Sequence, residues 1–106
     1  MEELYFKQPD LSAEKASRMM EKHLLGEGDK VERINPFKIR LITGSMLWKA
    51  KVDLEFSKKE DQLVITIDHK LWSNMMRSGV SILRSNKIAD RLKNIARYLF
   101  EEPVAA

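Results

Sequence analysis

Apolar residues fall at every second position through Phe37, Ile39 and Leu41, and again through Trp48, Ala50, Val52, Leu54 and Phe56. Successive side chains on a strand point to opposite faces, so a period of two marks two strands that each bury one face. Gly44-Ser45 lies between the two runs. Gly at the first central position of a two-residue loop fits a type II′ turn, because it reaches positive φ without a Cβ clash. Residues 37–56 are therefore expected to form a long β-hairpin that reverses at Gly44-Ser45. That turn sets Leu41 opposite Trp48, Arg40 opposite Lys49, Ile39 opposite Ala50, Lys38 opposite Lys51 and Phe37 opposite Val52.

The flanking segments supply the rest of a fold. Residues 1–8 can make a short edge strand, with Leu4 and Phe6 on one side and Tyr5 on the other, before Pro9-Asp10 ends it. Ser12 is placed to cap a helix running to about Leu25, with Leu11 stapling onto Ala16 and Gly26 as the C′ residue. Ala16, Met19, Met20 and Leu24 form its buried stripe. Leu63, Ile65 and Ile67 alternate with Val64, Thr66 and Asp68, which predicts a third strand. The spacing from Leu71 to Leu83 predicts an irregular helix. Ser85 or Asn86 can then cap a final one, carrying Ile88, Leu92, Ile95 and Leu99 at helical spacing. Residues 101–106 are expected to fray.

The expected architecture is a single α+β domain, a two-layer α/β sandwich of order α-β-β-β-α-α. Its helices would lie on one face of a three-stranded antiparallel meander. That order is similar to the α-β-β-β-α of the double-stranded-RNA-binding domain, but the basic helix-start motif of that family is lacking, and no membership is inferred. Two helices side by side are about 20 Å wide, whereas three strands span about 14 Å. The sheet is therefore expected to gain width from residues 4–6, from residues 31–34 or from a partner strand.

Composition narrows the chemistry. The 106 residues, 43% hydrophobic and 33% charged, suffice for one core without metals or disulfides. Zero cysteines exclude a disulfide framework, a thiolate zinc site and a cysteine nucleophile, and suit a reducing, cytoplasmic setting. No run approaches the ~20 apolar residues of a membrane span, and the N-terminal MEELYFKQ has no apolar core of signal-peptide length. His23 and His69, the two histidines, lack metal-ligand spacing. No nucleophile elbow or glycine-rich phosphate loop occurs, so no enzyme activity, cofactor, metal or small-molecule substrate is implied.

Three surfaces remain as candidates. The hairpin tip is apolar on both faces, and Ile42, Met46, Leu47 and Trp48 are the expected protein interface. The outward face of the hairpin carries Lys38, Arg40, Lys49 and Lys51, an alternative surface for RNA or DNA phosphates. A net charge of +3 is compatible with such a partner, although Asp53 and Glu55 continue the same face and no aromatic is placed there for base stacking. Arg84, Ser85, Asn86 and Lys87 are a weaker anion-binding candidate, resting on the start of the last helix. The leading expectation is a non-enzymatic protein-interaction or assembly domain that forms a homo-oligomer through the hairpin tip or a sheet edge. Nucleic-acid binding is the alternative.

Overall fold

The computed structural model describes the backbone of residues 2–45, 48–72 and 79–104 and the side chains of residues 2–43, 51–68 and 87–104. In chain order the elements are β1 (Glu2–Lys7), α1 (Ala13–Gly26), β2 (Lys30–Asn35), β3 (Lys38–Ser45), β4 (Trp48–Lys59), β5 (Gln62–Trp72) and α2 (Gly79–Phe100). The strands form one antiparallel sheet in the order β1-β5-β4-β3-β2. The α+β class stands, but the three-stranded meander does not. The sheet has five strands, and the order is β-α-β-β-β-β-α. The order shared with the double-stranded-RNA-binding domain disappears with it. Both segments offered for widening the sheet are used, one at each edge. Five strands span about 24 Å, which matches two helices side by side without any partner strand.

The central hairpin is present in a different register. Its strands run on through Gly44 and Ser45, which pair with Lys49 and Trp48 rather than forming the turn. The strands are joined through residues 46 and 47, which lie outside the described residues. Arg40 therefore stands opposite Asp53, Lys38 opposite Glu55, Ile39 opposite Leu54 and Leu41 opposite Val52. The physical reason is a degeneracy of the alternation. Moving the partner by an even number of residues leaves every side chain on its own face, so burial cannot choose between the two registers. Charge can. The expected pairing sets Arg40 against Lys49 and Lys38 against Lys51, and like charges directly opposite are unfavourable. The observed pairing sets Arg40 against Asp53 and Lys38 against Glu55, and moves Lys49 and Lys51 away from both cations.

Both helices lie on one face of the sheet. Ser12 caps α1 by accepting a hydrogen bond from the Lys15 amide at 3.1 Å. At the other end the helix continues through Gly26, with Glu27 as the C-cap and Gly28 at φ +88°. Gly28, and not Gly26, supplies the left-handed residue that turns the chain toward β2. Helix α1 packs over β2, β3 and β4, and α2 over β1 and β5. Between the layers lie Ile39, Leu41, Val52, Leu54, Phe56, Leu63, Ile65 and Ile67 from the sheet, all buried. They meet Ala16, Met20 and Leu24 of α1, and Leu92, Ile95, Ala96 and Phe100 of α2.

The C-terminal region also departs from expectation. Leu71 and Trp72 belong to β5, residues 73–78 lie outside the described residues, and α2 runs without a break through Ser85 and Asn86. Residues 101–104 are tied down by Gln8, which is fully buried at the end of β1. Its Nε2 donates to the carbonyls of Phe100 at 2.6 Å and Glu102 at 2.7 Å, and its Oε1 accepts from the Val104 amide at 2.9 Å. One amide side chain thus satisfies groups that the end of a helix leaves open, and Val104 packs partly buried against the core.

Candidate interaction surfaces

The face of the sheet away from the helices is built from charged side chains in cross-strand rows. Arg40 reaches Asp53 with two bonds, Nε to Oδ1 at 2.7 Å and a terminal nitrogen to Oδ2 at 3.1 Å. Lys38 approaches the same carboxylate at 3.7 Å. Asp53 is only 1% exposed, although it lies on the face that carries no helix, because these two cations lie over it. The hydrogen bond to Asp53 pushes the Arg40 pKa further up, so this guanidinium stays charged. Lys38 and Arg40, two of the four residues expected to bind phosphate, therefore already hold a buried carboxylate. Beside them is a hollow of about 250 Å³ lined by Glu3, Lys38, Asp53, Glu55, Thr66 and Asp68, in which carboxylates outnumber the single lysine. This middle band suits a cation better than a phosphate.

Toward the hairpin end the row changes sign. Lys30 is the register partner of Ile42, Ile42 of Lys51, and Lys51 of Lys70. In the next row Gly44 pairs with Lys49, and Lys49 with Trp72. The helical spacing after Leu71 points away from a strand there, so the sequence gives no sign of Lys70 and Trp72 beside the hairpin lysines.

The tip residues fall only partly within the described set. Ile42 is half-buried between Lys30 and Lys51 on β3. Met46 and Leu47 lie outside the described residues, and so does the side chain of Trp48, whose backbone pairs with Ser45 at the start of β4. Arg84, Ser85 and Asn86 sit inside α2, beyond its first turn, rather than at a helix start, and their side chains lie outside the described residues. Lys87 is exposed on α2.

Lys87 borders an open groove of about 580 Å³ between the helices, shared with His23, Glu27, Asp90, Arg91, Asn94, Ile95 and Tyr98. Arg91 is clamped from the α1 side. It donates to Asp29 at 3.1 and 2.5 Å and to Glu27 at 3.0 Å. The Arg91 bond, opposed by some desolvation and helped by His23, holds the Glu27 carboxyl below the ordinary range. His23 Nε2 lies 2.6 Å from Glu27 Oε1, and its ring centroid is 5.8 Å from that of Tyr98, which is 79% exposed. His23, Glu27 and Arg91 are thus bonded to one another and to Asp29, which joins the helices.

The two sheet edges differ. At β2 the pairing with β3 shifts register between Arg33 and Asn35, and Pro36 follows. Arg33 is drawn inward by Glu21 at 3.0 Å and Ser17 at 3.2 Å. A bulge, charge and a following proline are devices that blunt an edge. At β1 Glu2, Glu3 and Lys7 are charged and Pro9 follows, but there is no bulge. Glu2 to Lys7 pair with Ile67 to Gln62 in unbroken register. Leu4 and Phe6 pack against the core, Phe6 with its ring 6.1 Å from that of Phe100, while Tyr5 is 55% exposed on the other face. Among the described residues, β1 is hydrogen-bonded to β5 alone. The alternation of Leu4, Tyr5 and Phe6 signals such an edge strand in the sequence, but nothing local says that its free side is regular.

No helix among the described residues is long and apolar enough to cross a membrane, and none of them form a group of three or more His, Asp or Glu able to hold a metal ion. The sequence matches no protein-family model, and no curated protein matches it.

Proposed function

We propose that this chain is a non-enzymatic protein-interaction domain that self-associates through its sheet edge. The observation that supports this reading is the contrast between the edges: β2 is bulged, whereas β1 keeps an unbroken register and is paired on one side among the described residues. A regular edge presents a row of backbone donors and acceptors that another strand can complete. The narrow sheet no longer argues for a partner, because β1 and β2 supply the missing width from within the chain. Light scattering on a size-exclusion column tests the proposal. A mass rising from 12.4 kDa toward twice that value with concentration is expected. A monomer at every concentration up to about 1 mM, the limit of weak association, contradicts it.

A second reading is favoured by one specific observation, the adjacency of Lys51 and Lys70 in a row with Lys30, next to Lys49 and Trp72. Lysines at neighbouring register positions on adjacent strands suit the phosphates of a nucleic acid. The set of Lys38, Arg40, Lys49 and Lys51 expected from the sequence becomes Lys30, Lys49, Lys51 and Lys70. Salt-dependent binding of single-stranded RNA or DNA, lost when the revised set is reversed in charge, supports this reading. Binding unaltered by that change removes it.

A further inference from the structure

We infer that two copies of this chain join β1 to β1 in antiparallel register about a two-fold axis at Tyr5, making one ten-stranded sheet; this rests on the self-association proposed above. Interfaces between identical copies most often use a two-fold axis, so the contacting segment must complement itself. With Tyr5 on the axis, Glu3 of each copy stands opposite Lys7 of the other, and Leu4 opposite Phe6 of the other. All of these positions follow from the strand Glu2–Lys7 and its alternation. On the face away from the helices this gives two opposite-charge pairs flanking a tyrosine pair. On the helix face it gives two apolar pairs continuous with the core. A two-fold axis perpendicular to the sheet keeps each face with its like, so the four helices share one side.

Other even registers are poorer. Placing Leu4 on the axis sets Glu3 against Tyr5 and Glu2 against Phe6, and both ion pairs are lost. Placing Phe6 on the axis sets Lys7 against Tyr5 and carries Glu3 to Pro9, where no strand continues. Cross-strand opposite charges and aromatic pairs stabilise antiparallel strands, and the register about Tyr5 provides both. Leu, Tyr and Phe also suit a strand intrinsically. In the single chain the Tyr5 hydroxyl donates to the Glu3 carboxylate, which pushes the phenol pKa up. Pairing gives Glu3 a cationic partner in its place. The contact is small beside the ~1,200 Å² of a stable standard interface, so it belongs to the weak, concentration-dependent class.

Cysteine crosslinking tests the register, because the sequence holds no cysteine to compete. Residues directly opposite on antiparallel strands have Cα atoms about 4.5–5.5 Å apart, within disulfide reach. Tyr5→Cys is therefore expected to give a disulfide-linked dimer under mild oxidation. Glu3→Cys alone and Lys7→Cys alone put like cysteines about 14 Å apart along the strand, at ~3.4 Å per residue. Each is expected to crosslink at least about tenfold more slowly, whereas an equal mixture of the two crosslinks readily. Circular dichroism checks that each variant is folded. If the unmodified chain self-associates but Tyr5→Cys crosslinks no faster than Lys7→Cys, this register is overturned and the broader proposal survives. If the chain is monomeric throughout, both are overturned.

Discussion

Arg40 and Asp53 stand directly opposite on β3 and β4 and are joined by two hydrogen bonds of 2.7 and 3.1 Å, with the carboxylate only 1% exposed. The pair fixes the register of the central hairpin, which the alternation of apolar residues leaves open. Removing the carboxylate strips a cation of its partner in a partly buried place. Asp53→Ala is expected to lower stability by about 2–4 kcal/mol, and Asp53→Asn by less, because the amide oxygen still accepts one bond. Urea unfolding of the three chains checks this.

Gln8 links β1 to the end of α2 across nearly the whole length of the chain. Replacing it with Ala leaves the Phe100 and Glu102 carbonyls and the Val104 amide without that partner. A loss of about 2–4 kcal/mol is expected, on the scale of buried hydrogen bonds left unmade. Gln8→Glu is expected to be at least as damaging, since an ionised carboxylate cannot donate to either carbonyl. Hydrogen exchange at residues 101–104 should speed up in both variants before global unfolding does.

The Arg91 clamp gives a pH dependence of definite sign. Glu27 is held below its ordinary pKa, chiefly by the Arg91 hydrogen bond. A carboxyl whose folded pKa is depressed binds fewer protons in the folded than in the unfolded state. Its stabilising contribution is therefore present above the ordinary carboxyl pKa of about 4.3 and is lost as pH falls through the lower folded value. The melting temperature of the native chain is expected to exceed that of Arg91→Gln at neutral pH, and the gap should narrow below about pH 4. A gap that is constant across pH 7 to 3 would contradict the assignment.

Two glycines of the α1–β2 connection should respond in opposite directions. Gly28 has φ +88°, a conformation that L side chains rarely adopt, so Gly28→Ala is expected to cost about 1–2 kcal/mol. Gly26 lies in the last turn of α1, and an added methyl group there would meet no atom within 4 Å. Gly26→Ala is therefore expected to be neutral or to stabilise by up to about 1 kcal/mol. Thermal unfolding separates the two.

The degree to which the fold can be read from the sequence follows the range of each interaction. Alternation places the central hairpin and most of β5, and Ser12 marks the start of α1, because these signals are carried by neighbouring residues. The hairpin register escapes because the apolar pattern is indifferent to even shifts, and Gly44-Ser45 offers an attractive turn that the charges of Arg40 and Lys38 overrule. Ser85 and Asn86 resemble caps but lie within α2, where the continuing apolar stripe of Ile88, Leu92 and Ile95 holds the helix together. Gln8 gives no local sign at all, since its partners are more than ninety residues away. The interaction surfaces fare likewise. Tyr5 can be placed on an edge strand from its alternation, but that β1 is paired on one side alone among the described residues depends on where β5 runs.

Charge complementation tests the central claim most directly. Glu3→Lys places lysine against lysine at both ends of the β1 pairing, and Lys7→Glu places glutamate against glutamate, so each variant alone should stay monomeric. Mixed in equal amounts, the two recover both opposite-charge pairs, and light scattering should show a dimer of one copy of each. A mixture that remains monomeric while the unmodified chain dimerises, or single variants that dimerise as well as the unmodified chain, would contradict edge pairing about Tyr5.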